Sequence, residues 1–309
     1  MLLYNDESLH FNRTYLPSSV GTSGKRSTLR LMPTPRAHQD EEFRNEIHDQ
    51  NYVLRRGDYS IRLADSPRRH GEVSALVNRM YSWRGYGIDS TAVSSHNQTT
   101  LEAFSGQELV GTVTLGLDSQ EGLLADKLYK QEISNFRAKN RKICELSKLA
   151  IDPQCSSKEL LASLFNLAYI HGRIIHKATD FVIEINPRHA GYYKRLLGFR
   201  QAGEMRTCQR VNAPAVLMHL ELDYVDAQVS SLAGSREAKE RSLYTYFLTK
   251  HEEERVANNL RRHINRATTI DLTTLCDSSE KHEKLFNKLL RPKFAQHPYM
   301  PLDKILIPE

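Results

Sequence analysis

Residues 145–151 read ELSKLAI, and residues 182–199 read VIEINPRHAGYYKRLLGF. Each carries a short run rich in apolar residues and bounded by polar ones, the pattern of a buried strand. The second run passes through Asn186 and Pro187 into a helical pattern closed by Gly198, a residue suited to the left-handed turn after a helix. Between them, Ser156 with Glu159 three residues on resembles a capping box. Leu161, Leu164, Phe165, Ala168 and Ile175 then continue one apolar helical face. The order is strand, helix, strand, helix, with polar residues gathered at the strand ends.

Upstream, Tyr59–Leu63 reads as a strand, and Val73, Leu76, Val77 and Met80 form the stripe of an amphipathic helix. TLEAFS (Thr100–Ser105) and LVGTVTLGL (Leu109–Leu117) are two strands joined by Gly106, Gln107 and Glu108 as a hairpin. A polar helical stretch leads from them to ELSKLAI. Downstream, AVLMHLEL (Ala215–Leu222) is a final strand. Order and lengths indicate a mixed α/β sheet.

The 309 residues, 39% hydrophobic, suffice for one principal domain with appendages. Residues 1–57 mix Ser, Gly, Pro and both charge signs and read as a flexible polar leader, 58–225 as the globular domain, and 226–309 as a helical extension. In the extension Thr249 with Glu252 is another capping signal, and Val256, Leu260 and Ile264 keep helical spacing. Its apolar residues, including Leu243, Tyr244, Phe247 and Leu248, are too few for a separate core, so it should pack on the α/β body.

No apolar run reaches the roughly 18 residues of a membrane span, and the start MLLYNDES turns polar early, so a cytoplasmic location is expected. Cys144, Cys155, Cys208 and Cys276 lie far apart without a CxxC pair, so reduced thiols and no metal site are expected. A net charge of +6 fits an acidic partner, whether a protein, an anionic membrane touched peripherally or nucleic acid. The basic residues are scattered rather than gathered on one helix, which argues against nucleic acid.

RMYSWRGYGID (79–89), LVGTVTLGLDSQEGLLADKLY (109–129), CELSKLAID (144–152), EINPRHAGYYKRLLGF (184–199) and RVNAPAVLMHLEL (210–222) together resemble the N-acyl amino acid synthases, relatives of the acyl-homoserine-lactone synthases within the GNAT acyltransferases. The resemblance covers about Tyr59 to Leu222. It implies a GNAT-like, mostly antiparallel mixed sheet flanked by helices. It also implies transfer of a fatty acyl chain from acyl carrier protein to the amine of an amino acid. No tightly bound cofactor is expected, since the phosphopantetheine thioester arrives on the carrier protein. IDPQCSSKE, at the start of the long central helix, has no glycine with which to cradle the pyrophosphate of a free coenzyme. The lactone synthases pair Arg with Phe after the central-strand serine, where this chain has Lys148 and Leu149. A lactone-type synthase and a non-catalytic acyl-carrier-binding protein of the same fold are the alternatives.

The chemistry needs a neutral amine, an oxyanion site and a departing thiolate. An α-amine of pKa about 7.7–8.0 needs modest base assistance. Glu145 is the candidate base, with a structural salt bridge the other reading. A β-bulge around Lys148–Ile151, with Leu149 inside it, could aim backbone N–H groups at the thioester oxygen. Ser147 is a candidate hydrogen-bond donor to amine or pantetheine. Tyr192 or Tyr193 could protonate the leaving thiolate, although their spacing to Gly198 differs from that of the common acetyltransferases, and core packing serves equally well. Leu115, Leu149 and Phe165 are candidates to line an acyl tunnel.

Arg79, Tyr81, Trp83 and Arg84 sit where the related lactone synthases close the substrate site, so an arginine there could clamp the acceptor's carboxylate. Asn186 and His189 fall at a strand end, where an Asn helix cap competes with a substrate contact. For the carrier protein, Arg137, Lys139, Arg141 and Lys142 form one candidate patch and Lys194, Arg195, Arg200 and Arg206 another. Ordinary solvated charge is the alternative for each.

Overall fold

The structure is a computed structural model that describes residues 52–64, 67–82, 85, 97–235 and 241–264. Trp83, Arg84, Cys276 and nearly all of the expected leader lie outside these. The chain divides into two units, Met1–Arg261 and Arg262–Glu309, and the elements below belong to the first.

β1 (Leu54–Arg56) and β2 (Tyr59–Leu63) pair as a hairpin, so the first strand falls inside the stretch expected as leader, and Val53 before it is buried. β3 (Gln98–Ser105) pairs β2 and turns through Gly106, whose φ of +58° suits glycine, into β4 (Glu108–Leu117). β5 (Ile143–Ile151), β6 (Asp180–Ile185) and β9 (Ala213–Glu221) complete the central sheet, with the short β7 (Arg200–Gln201) and β8 (Arg206–Cys208) on β9. The order is β1-β2-β3-β4-β5-β6-β9-β7. Among the described pairs only β5–β6 is parallel, which is the mixed, mostly antiparallel sheet expected.

Two helical layers cover the sheet. On one face α1 (Pro67–Ser82) sets Val73, Leu76, Val77 and Tyr81 against Ala150, Val211 and Ala215. Beside it α2 (Asp126–Ala138) sets Tyr129 and Ile133 against Ile143, Val182 and Leu217. On the other face lies α3 (Lys158–Tyr169), buried along its length. Its N-cap is Ser157, whose Oγ accepts from Leu160 N at 3.0 Å, one residue later than the expected Ser156. The helix continues as a π-helical segment, Ile170–Ile175, where Gly172 lets the backbone approach Phe181: a Cβ there would fall 2.8 Å from that ring. After β6, Asn186 caps a 3₁₀ turn (Pro187–His189) that opens α4 (Ala190–Leu197), which Gly198 ends at φ +80°. α5 (Leu222–Leu232) follows β9.

The segment from residue 241 is tied to this layer by hydrogen bonds from Tyr244 Oη to Leu197 O at 2.7 Å and from Leu248 N to Asn166 Oδ1 at 2.9 Å. Thr249 and Glu252 bond each other as the capping signal requires, Thr249 N to Glu252 Oε2 at 2.9 Å, at the head of a helix running through residues 250–261.

Candidate active site

The central strand β5 breaks register with β4 and parts from β6 in the same stretch. Against β4, Thr112 faces Ala150 while Thr114 faces Ser147, so Lys148 and Leu149 together oppose Val113. This is a β-bulge, at the position expected for one, and Lys148 takes a φ of +50° within it. A lysine in that region is strained by about 1–2 kcal/mol, a cost that must be met elsewhere. Against β6, the parallel ladder runs from Ile143↔Asp180 to Leu146↔Ile183 and stops, although β5 continues to Ile151 and β6 to Ile185. The sheet is therefore a wedge, closed at Ile143 and open past Leu146.

The closed end is pinned by charge. Asp180, fully buried, accepts from Arg141 Nε and Nη2 at 2.5 and 2.8 Å and from Thr179 Oγ1 at 2.5 Å, and pairs with His219 Nε2 at 2.6 Å. These partners hold its carboxyl well below the usual range against the opposing pull of burial.

Glu145 stands at the threshold of the open end, one residue before the last ladder pair, and is 2% exposed. Its Oε2 accepts from Ala125 N at 3.1 Å, while Oε1 is buried without a hydrogen-bond partner among the described residues. Burial pushes its pKa up to about 7; Arg210 and the Ala125 amide pull it down, and Glu184 adds to the rise. Glu184 and Arg210 were not singled out in the sequence. Glu184 lies two residues past Val182, the β6 partner of Glu145, and so faces the same way, onto the α1/α2 layer. Arg210, from the turn between β8 and β9, donates Nη2 to Glu184 Oε2 at 2.8 Å. The Cys208 thiol beside them is raised by burial and by Glu184. A carboxyl poised near neutrality beside an opened ladder lies closer to an ammonium in proton affinity than an ordinary carboxylate does, and so takes its proton with less uphill cost.

The remaining expected residues divide by location. Ser147 is buried on the face of Glu145, opposite Thr114; Leu149 and Ile151 are buried, and Lys148 is half-buried with its amine lowered by that burial. Lys148 and Leu149 form the bulge, and Ser147 and Ile151 pair with β4 on either side of it. Tyr81 is buried among apolar residues of α1 and β9, and Arg79 is 54% exposed, bonded to Asp152 Oδ2 at 2.8 Å. Asn186 Oδ1 accepts from Arg188 N at 3.1 Å, the helix-cap geometry, and His189 Nε2 accepts from Arg188 Nε at 3.1 Å.

Tyr193 is fully buried, ringed by Phe165, Tyr192 and Phe199 at centroid distances of 6.1, 5.7 and 6.1 Å, an edge-on aromatic cluster of the core. A general acid contributes about 10²–10⁴ in rate, so Tyr193→Phe is expected to lower kcat by less than about tenfold; a larger loss in steady-state assays would return the tyrosine to the chemistry.

The first basic patch is not a free surface. Arg137 makes four bonds of 2.6–2.8 Å to Asp118 and Asp126, and Arg141 holds Asp180. Only Lys139 and Lys142 of that group are exposed, and both sit at the closed end of the wedge. Arg206 is bonded to Glu132 Oε1 at 2.5 Å and stacks 4.7 Å from the Tyr129 ring. Lys194, Arg195 and Arg200 are exposed.

A sequence model described as "FeeM: N-acyl amino acid synthase FeeM" matches residues 72–221. No curated protein matches the chain. Among solved structures, FeeM, an N-acyl amino acid synthase from uncultured soil microbes, is 28% identical over 53% of this chain and 92% of its own, with a TM-score of 0.50. Escherichia coli ElaA is 9% identical over 52% and 99% with a TM-score of 0.39, and an acyl-CoA N-acyltransferase from Pseudomonas aeruginosa 12% over 52% and 98% with 0.38. Residues 72–221, which carry the bulge, the opened ladder and the Glu145–Glu184–Arg210 cluster, thus resemble the FeeM N-acyl amino acid synthases in sequence and build a GNAT-like acyltransferase fold.

Proposed function

We propose that the protein moves a long-chain fatty acyl group from the phosphopantetheine thioester of an acyl carrier protein to the α-amine of an amino acid. The observation that carries this reading is Glu145, buried, half-partnered and raised to about 7, where the β5–β6 ladder opens. The thioester enters the wedge with its carbonyl oxygen toward the backbone amides of the bulge, which stabilise the developing oxyanion. The amine approaches from the α1/α2 face, and Glu145 takes its proton as nitrogen bonds to the carbonyl carbon. The tetrahedral adduct then expels the thiolate, a good leaving group that takes up a proton to give the free carrier thiol. The acyl chain lies on the α3 side, where Leu115 and Phe165 are buried.

The glycine-free loop Asp152–Ser157 supports a carrier-borne donor over a free coenzyme, since a Cβ at each position limits backbone approach to a pyrophosphate. For the acidic carrier, Lys194 and Arg195 are the better-placed cations. They are exposed on α4, the helix that starts at the open end, and the Arg195 guanidinium folds back along it to within 3.3 Å of where a Gly191 Cβ would stand.

The test is incubation with long-chain acyl carrier protein, and separately with acyl-CoA, over a panel of amino acids, followed by mass spectrometry. The expected result is an acyl amide and free carrier thiol; no amide with any pair removes the reading. Reversing Lys194 and Arg195 to Glu is expected to raise KM for the carrier-borne donor about tenfold while moving KM for an acyl-pantetheine far less.

A further inference from the structure

The transfer step leaves Glu184 and Arg210 without a task, although both are built into the face on which the amine arrives. Glu184 has no exposed surface; its Oε2 accepts from Arg210 and its carboxylate is also bonded by the Cys208 thiol, yet Oε1 is buried without a hydrogen-bond partner among the described residues. Glu145 shows the same half-satisfied state one strand away, with Oε2 on Ala125 N and Oε1 unpartnered. A buried carboxylate oxygen without a partner is destabilising, and two of them on one face suit a cationic donor. Arg210 stands beside both acids, its side chain 18% exposed, and its charge is felt by Glu145 as well as by Glu184. One arginine against two carboxylates leaves a negative excess that an ammonium offsets, and an arginine presents a planar fork to a second carboxylate.

We propose that Glu184 and Arg210 form the recognition site for the acceptor, Glu184 Oε1 receiving the α-ammonium and the Arg210 guanidinium the α-carboxylate, so that α-amino acids are chosen over simple amines. The inference rests on the reading of the chain as an amino acid N-acyltransferase. It replaces the expected arginine clamp at Arg79, whose guanidinium is held by Asp152 at the end of β5. The acceptor is held by both its charges before Glu145 removes the proton, so the nitrogen reaches the thioester already oriented.

The experiment compares kcat and KM of the full-length chain for its best amino acid and for the corresponding decarboxylated amine, with one acyl donor. Arg210→Lys keeps a cation on Glu184 but loses the fork. It is expected to raise KM for the amino acid about tenfold or more and to shrink the preference over the amine by a similar factor, with the donor's KM held within about twofold. Because an unpaired Glu184 threatens the fold, the double variant Glu184→Gln with Arg210→Met removes both charges together, and the same loss of preference is expected from it. Folded variants that keep the wild-type preference, or that lose amine and amino acid activity equally, overturn the inference while amide synthesis stands. A wild-type chain that acylates no amino acid overturns both.

Discussion

Replacing Glu145 by glutamine is expected to lower kcat by about 10²–10⁴ with little change in the donor's KM, because the amide keeps the shape but cannot accept a proton. The wild-type rate is expected to climb with pH through a midpoint near 7, where the carboxyl ionises. Below that midpoint the group is protonated and cannot act as a base. In Glu145→Gln the residual rate should follow the acceptor's own α-ammonium instead, which in a free amino acid titrates above the range of about 7.7–8.0 of a peptide α-amine. Rate against pH for both proteins, under single-turnover conditions with saturating donor, separates the two limbs. A variant profile that keeps the midpoint at 7 assigns the ionisation to another group.

The same residue yields a stability result of opposite sign. Its folded pKa of about 7 lies above the ordinary 4.5, so the folded chain binds a proton that the unfolded chain has released. Stability from this group is therefore full below about pH 4.5 and declines as pH rises to 7. Glutamine removes that dependence, and at pH 8 the variant is expected to be more stable by roughly 1–3 kcal/mol in urea unfolding. A residue whose replacement strengthens the fold and abolishes turnover is retained for chemistry. Were Glu145 a structural ion-pair partner, the substitution would weaken the fold instead.

What the sequence disclosed follows the reach of local patterns. Strands and helices of regular period were legible, as were the caps at Asn186, Thr249 and Gly198, because each depends on neighbours within a few positions. Ser157 rather than Ser156 caps α3 because its hydroxyl is the one three residues before the Leu160 amide, a distinction two adjacent serines cannot display. The π-helical turn after Tyr169 keeps the apolar spacing of an α-helix, and the backbone bond from His176 N to His171 O at 3.2 Å is what reveals it. Arg137 and Arg141 read as a basic patch since their acids lie far along the chain, Asp126 at the opposite end of the same helix, Asp118 before it and Asp180 on β6. Glu184 is hidden in an apolar strand and its partner Arg210 follows 26 residues later, after two further strands. Long-range charge pairing of this kind leaves no periodic trace, and it is what separates the candidate site from ordinary core.

Asp180→Ala is expected to cost about 3–5 kcal/mol, because it leaves the Arg141 guanidinium and His219 without their shared carboxylate at a buried site. Asp180→Asn, which retains one acceptor, should cost less. The wild-type chain should show the matching acid sensitivity. The Asp180 carboxyl is depressed in the fold, so its contribution is complete above the unfolded value of about 3.9 and is lost as pH falls below it toward the folded value. Urea midpoints from pH 7 down to pH 3 measure both effects, and a variant as stable as wild type at pH 7 would show that the cluster carries no net stabilisation. The residue also bears on function through the sheet. Ile143↔Asp180 is the first pair of the β5–β6 ladder, and only four pairs hold these strands before they part. Loosening the first pair lets the wedge close or slip at its far end, so the distance between Glu145 on β5 and Glu184 on β6 is no longer set. Turnover in Asp180→Asn, assayed well below its unfolding temperature, is therefore expected to fall more than its stability loss alone explains, with the acceptor's KM moving further than the donor's.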